Sequence, residues 1–236
     1  MAKIVRLFLG LLLLPACWAI VRAFLDALGA ASEATDLFSA ETVALLGGIV
    51  AFALAWAALP HPVRTYVLGH ELTHALWGLL FGARPSNLRV GAQGGSVRLT
   101  KENVVITLAP YFFPFYTFVV ILAALITYAF LRPLPYLPLW MFLVGFTWAF
   151  HVLFTLETLV QRQPDITLYG RVFSWTVIFL VNMATLLVWL VVTTPLTFAQ
   201  TGGFLLSRLL SAYASVWDFF AACARSAYSW LSSRPS

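Results

Sequence analysis

Two histidines and a glutamate stand together in the run His70-Glu71-Leu72-Thr73-His74. In a helix, residues four apart lie on one face, one turn above each other. His70 and His74 can therefore offer imidazole nitrogens to a single ion. Glu71, rotated by about 100°, can reach a water beside that ion without displacing a histidine. This is the physical content of the His-Glu-x-x-His zinc motif, with Glu71 as general base. Val67, Leu68, Ala75, Leu76, Leu79 and Leu80 surround it, and ionisable groups in so apolar a helix are costly unless they serve a function.

A hydrolytic zinc site takes three protein ligands and keeps one position for water. Asp165, His151 and Glu157 are the candidates for the third. Asp165 follows Pro164 at the expected start of the last membrane helix, where a helix N-terminus favours negative charge. Pro164 disfavours helix at Gln163, which frees Asp165 to turn inward. A carboxylate also offsets the charge of the ion in an apolar medium. Asp165 is therefore preferred as the third ligand. His151 lies on a polar stripe with Thr147, Thr155, Thr158 and Arg162 and is expected beside the ligands or at the oxyanion, a role open also to Asn182. Glu157 falls off that stripe and reads as interfacial, and His61, between two prolines, as inert.

These residues need elements to hold them. Apolar segments are expected at residues 4–28, 42–59, 63–81, 103–131, 137–162 and 166–192, with Pro110 and Pro114 breaking the fourth near its start. Between them, Asn87-Leu88-Arg89-Val90 and Ser96-Arg98 with Val97 and Leu99 alternate in period two around Gly91-Ala92-Gln93-Gly94-Gly95, which predicts a β-hairpin. Gly94, Gly95, Ser96 and Val97 on that hairpin are candidate substrate-binding residues. In the tail, Arg208, Ser211, Ser215, Asp218, Ala222, Arg225 and Ser229 recur at helical spacing, which predicts an amphipathic helix lying at the membrane surface.

Composition sets the frame. Of 236 residues, 61% are hydrophobic and 10% charged, and mean hydropathy is +0.91, far from the roughly 25% charge of soluble domains. The expected fold is an all-α polytopic membrane protein, a bundle of about five to six spanning helices with one short β-hairpin and a C-terminal amphipathic helix. Residues 1–200 are read as the membrane-embedded domain and 201–236 as the helix and tail. Net charge is +5, but the cations sit in short loops where they anchor helix ends, so nucleic acid is not an expected partner and membrane lipids are. They also divide almost evenly between the two sides, which leaves orientation open. Cys17 and Cys223 read as packing residues. The run after Lys3 and Arg6 resembles a signal sequence but stays apolar to Leu28, which favours a retained helix.

The stretch Thr65–Leu76 with its motif, the Gly-containing hairpin, Leu108-Ala109-Pro110-Tyr111-Phe112-Phe113-Pro114 and the later Pro164-Asp165 resemble the site-2 protease family of intramembrane zinc metalloproteases, in a compact bacterial branch without a PDZ domain. The resemblance covers roughly residues 60–195. It implies a zinc peptidase of the bacterial cytoplasmic membrane acting on transmembrane protein substrates. The family's aspartate usually precedes a glycine; here Ile166 follows Asp165. Alternative readings are a zinc-dependent membrane hydrolase of lipid-linked or small amides or esters, and a non-catalytic metal-binding membrane protein.

Overall fold

The computed structural model describes residues 2–34, 36, 38–91 and 94–232. It is 80% helical. The helices are α1 (Ala2–Ala34), α2 (Ala40–Ala58), α3 (Val63–Leu80), α4 (Val104–Leu108), α5 (Phe115–Phe130), α6 (Leu137–Val160), α7 (Pro164–Tyr169), α8 (Arg171–Thr193) and α9 (Phe198–Ser232). Strands β1 (Pro85–Gly91) and β2 (Gly94–Leu99) pair antiparallel between α3 and α4.

Contacts divide the chain into two compact units, Met1–Thr35 with Gly170–Ser236, and Asp36–Tyr169. In the first, α1 packs against α8 and α9. Ala19, Ala23, Ala27 and Ala31 recur every fourth residue along α1 and are buried, so small side chains let the helix backbones approach closely. Leu187 of α8 and Leu196 join Ala27 and Ala31 in the core.

In the second unit α2 packs along α6. A methyl group at Gly48 would strike the Phe142 carbonyl, and one at Gly145 the Leu45 carbonyl. The two helices therefore touch backbone to backbone. Phe52, Phe150 and Phe154 fill the space beside this contact with edge-on rings.

Among the described residues, four helices are long and apolar enough to cross a membrane: α1, α2, α6 and α8. The pair α4 and α5 makes a fifth if counted as one span, bent by 83°. The bend falls at the expected prolines. Pro110 sits in a short 3-10 turn, Ala109–Tyr111, and Pro114 caps α5.

Two sequence expectations need revision. The motif helix α3 is not among the helices apolar enough to span, because Arg64, His70, Glu71 and His74 fall within its 18 residues. The segment expected to run from 166 to 192 is two helices, broken at Gly170, whose φ of +93° is outside helical space. Asp165 is thus in the first turn of α7 rather than of a spanning helix. The polar stripe expected on α9 stays exposed at Ser211, Ser215, Asp218, Arg225 and Ser229, while Arg208 turns to α1. Arg208 binds Asp26 of α1 through Nε and a terminal nitrogen at 2.6 and 2.9 Å, and Tyr213 donates to the Leu12 carbonyl. That carbonyl lies beside the one at Leu11, which Pro15 cannot serve.

The hairpin forms where alternation predicts it. Val97 and Leu99 turn inward on β2 while Ser96 and Arg98 are exposed, whereas Leu88 and Val90 of β1 remain exposed. The pairing slips between Ser86 and Arg89, where Asn87 has φ 52°, the geometry of a bulge. Ala92 and Gln93 of the expected turn lie outside the described residues.

Candidate metal centre

Helix α3 begins after Pro62 and ends at Phe81 and Gly82, the latter at φ +72°. Its helical rise brings His70 and His74 into edge-to-face contact with centroids 4.9 Å apart. Asp165 comes from α7, which packs on α4. Its Oδ2 lies 3.5 Å from His70 Nε2 and 3.4 Å from His74 Nε2. One donor atom from each of the three residues falls within 4.8 Å of the others. Of the three candidates for the third position, the structure brings Asp165 to the histidines.

The arrangement fits a small dication. Ligands held about 2.0–2.2 Å from zinc at tetrahedral angles lie about 3.3–3.6 Å apart, and the two measured separations fall in that range. Hydrogen bonding points the same way. His74 Nδ1 lies 2.9 Å from the Ile106 carbonyl, so that nitrogen carries the proton and donates it. A neutral His74 then turns the lone pair of Nε2 toward the Asp165 carboxylate, an arrangement that is repulsive unless a cation or a proton lies between. His70 Nδ1 pairs at 3.4 Å with the Tyr66 hydroxyl, which is itself hydrogen-bonded with Thr158 Oγ1 at 3.0 Å. Metal-binding histidines are normally oriented by such contacts on the other ring nitrogen.

Asp165 is itself held. Tyr111, fully buried, donates its hydroxyl to Asp165 Oδ2 at 3.1 Å.

Glu71 is buried at 7% exposure. The hairpin covers it. A Cβ on Gly95 would lie 2.6 Å from a Val67 methyl and 2.8 Å from Glu71 Cγ, so only glycine lets β2 approach α3 this closely. The Val97 backbone hydrogen-bonds to the carboxylate.

His70, Glu71, His74 and Asp165 open on a cavity of about 740 Å³. Gly94, Gly95, Ser96 and Val97 line it, as do Phe154, Glu157 and Leu168. Among the other sequence candidates, His151 and Asn182 lie outside this cavity and Glu157 on its lining. His151 is buried behind His70, lining a small pocket with Tyr66, Thr73 and Tyr116, and its Nε2 has no hydrogen-bond partner. Glu157 stands at the cavity wall, 3.7 Å from His61 Nδ1, while the His61 ring stacks on Trp56. Asn182 belongs to α8 in the other unit, where its amide donates to the Ile178 carbonyl.

Sequence reasoning missed Tyr66, Tyr111 and the Ile106 carbonyl. Tyr66 carried a signal, since it stands four residues before His70 and so shares its helix face. Tyr111 was visible only as part of the stretch around Pro110. A backbone carbonyl leaves no trace in the residue types.

No protein-family model, no curated protein and no solved structure matches the chain. The likeness to the site-2 protease family therefore rests on the motif residues themselves.

Proposed function

We propose that this chain is a multi-pass membrane protein of the bacterial cytoplasmic membrane and a zinc-dependent peptidase that cuts membrane-embedded protein substrates. The observation that carries the reading is the convergence of His70 Nε2, His74 Nε2 and Asp165 Oδ2 beside the buried Glu71 on one cavity. Two histidines and one carboxylate are a common donor set of catalytic zinc, whereas closed structural sites use four protein ligands. The apolar length of α1, α2, α6 and α8 supports the membrane setting.

Bound zinc would supply Lewis-acid polarisation of the scissile carbonyl and lower the pKa of a water toward about 7. The chain's own groups do the rest. His70, His74 and Asp165 hold the ion, with Tyr66, the Ile106 carbonyl and Tyr111 fixing their orientation. Glu71 takes up the proton of the attacking water and passes it to the leaving amide nitrogen. Its carboxylate starts the cycle beside the Val97 backbone, which orients it. A helical substrate has its peptide groups bonded internally, so it must be drawn out before attack. One edge of β2 is paired with β1, and its residues line the cavity. An extended substrate segment adding to the other edge would be presented to Glu71 in this way.

Two measurements test the reading. The purified protein is expected to contain one zinc per chain, lost in His70→Ala and kept in Glu71→Gln. Membranes from cells with the wild type are expected to contain fragments cut within hydrophobic segments that are missing with Glu71→Gln. Identical fragment sets would end the peptidase reading, and altered lipid-linked amides or esters in their place would transfer the site to that substrate class.

A further inference from the structure

We infer that the cleft between α1 and α9 binds the phosphate headgroup of an anionic phospholipid. The inference rests on the membrane setting proposed above, but not on the metal centre or on peptidase activity.

The cleft has a volume of about 470 Å³ and is lined by Pro15, Trp18, Ala19 and Arg22 of α1 and by Arg208, Ser211, Ala212, Ser215 and Val216 of α9. Its charge does not balance. Arg208 is paired with Asp26, and Arg22 adds a second positive charge beside the same carboxylate. Two guanidinium groups against one carboxylate leave one positive charge over. Arg22 is exposed and forms no hydrogen bond or ion pair among the described residues. Arg208 uses two of its five N–H donors on Asp26. Donors therefore remain on both arginines, and arginine forks match the oxygens of a phosphate. Ser211 and Ser215 add hydroxyls to the same wall.

Depth decides what kind of phosphate this is. Helix α1 carries Lys3 and Arg6 at one end and Arg22 and Asp26 toward the other. Between Lys3 and Arg22 the helix rises about 28 Å, close to the roughly 30 Å of a bilayer's hydrocarbon core. With Lys3 at one interface, Arg22 stands at the headgroup level of the other, with Arg208 across the cleft. Trp18, 63% exposed and one turn nearer the bilayer centre, is an indole at the depth such side chains favour. Pro15 and Ala19 of α1, on the bilayer side of Arg22, give the cleft an apolar floor along which acyl chains would follow the headgroup. A free oxyanion would have no use for that floor.

The test uses the full chain, delipidated in detergent and titrated with phosphatidylglycerol or phosphatidylcholine while bound lipid is counted by native mass spectrometry. Phosphatidylglycerol is expected to bind the wild type more tightly than phosphatidylcholine. Arg22→Gln is expected to weaken it about fivefold, the effect of one basic residue near an anionic membrane surface, and Arg22→Lys to restore most of the loss. Ser211→Trp, which fills the cleft and leaves both arginines in place, should also lower occupancy. Equal binding of the two lipids, or equal binding by wild type and Arg22→Gln, would overturn the inference. Displacement of the lipid by millimolar inorganic phosphate, with no dependence on acyl chains, would assign the cleft to a free anion and overturn it as well. Zinc content, followed in the same samples, is expected to stay constant across these variants.

Discussion

The two units of this molecule treat polar groups in opposite ways. Met1–Thr35 with Gly170–Ser236 is built from three long helices, and its buried polar side chains are hydroxyls such as Ser174, Thr176 and Thr201. Most of these bond back to their own helix, as Thr176 and Thr201 do. Asp36–Tyr169 buries Glu71 and His151 as well as Thr73, Thr107, Thr117, Thr155 and Thr158. It is also the unit with broken elements: the 83° bend near Pro110 and Pro114, the hairpin, and the short α7. Residues of the hairpin, α4 and α7 line the cavity, and in a membrane setting irregular backbone is tolerated in such places. The comparison teaches that chemistry is placed where helices stop. A continuous helix satisfies its own backbone and offers a neighbour only side chains, while an interrupted one can offer a backbone acceptor such as the Ile106 carbonyl that orients His74.

If the units divide labour in this way, variants in one should leave the other intact. The largest effect is expected from Glu71→Gln. Removing the base should lower hydrolysis by about 10²–10⁴-fold with zinc retained, as judged by substrate turnover and metal analysis on the same preparation. Loss of metal would make Glu71 a ligand and blur the distinction between holding and reacting groups. Tyr111→Phe keeps the buried ring and removes only the hydroxyl on Asp165. Zinc affinity, measured by chelator competition, is expected to fall about 10–100-fold with little change in unfolding temperature.

Gly48→Ala probes packing rather than chemistry. The methyl meets the Phe142 carbonyl, and overpacking of this kind costs about 1–3 kcal/mol. Thermal unfolding should move down, with the metal lost at the same temperature as the fold of that unit. The smallest effect is expected from Asp26→Asn. The Arg208 pair is partly exposed, so a slight fall in unfolding temperature and unchanged zinc content should follow. A drop in zinc affinity there would show that the two units are energetically coupled.

Much of the fold was legible because its signals are periodic. Long apolar runs announced α1, α2, α6 and α8, prolines announced the bend, and period-two alternation announced the hairpin. The motif announced its own helix, although its four ionisable residues make that helix too polar to count as a span. What escaped depended on contacts between distant residues. Gly170 was passed over although Arg171 stands beside it, because a glycine in a hydrophobic helix is ordinary until its φ is known. The polar stripe of α9 was visible, but the partner of its Arg208, Asp26, lies at the far end of the chain. In the site, residue types and spacing pointed to His70, Glu71, His74 and Asp165, whereas the groups that orient them became visible only in three dimensions.

Asp165 rides on a six-residue helix bounded by Pro164 and Gly170, the last element before the chain leaves its unit. His74 and Asp165 are roughly ninety residues apart in sequence, so an ion bound by both would act as a cross-link closing a long loop in the unfolded chain. Ligand binding to the folded state alone stabilises it in proportion to the logarithm of free-ion concentration. The metal would thus have a second office as a staple, and the midpoint of unfolding of Asp36–Tyr169 would report the zinc supply of its surroundings.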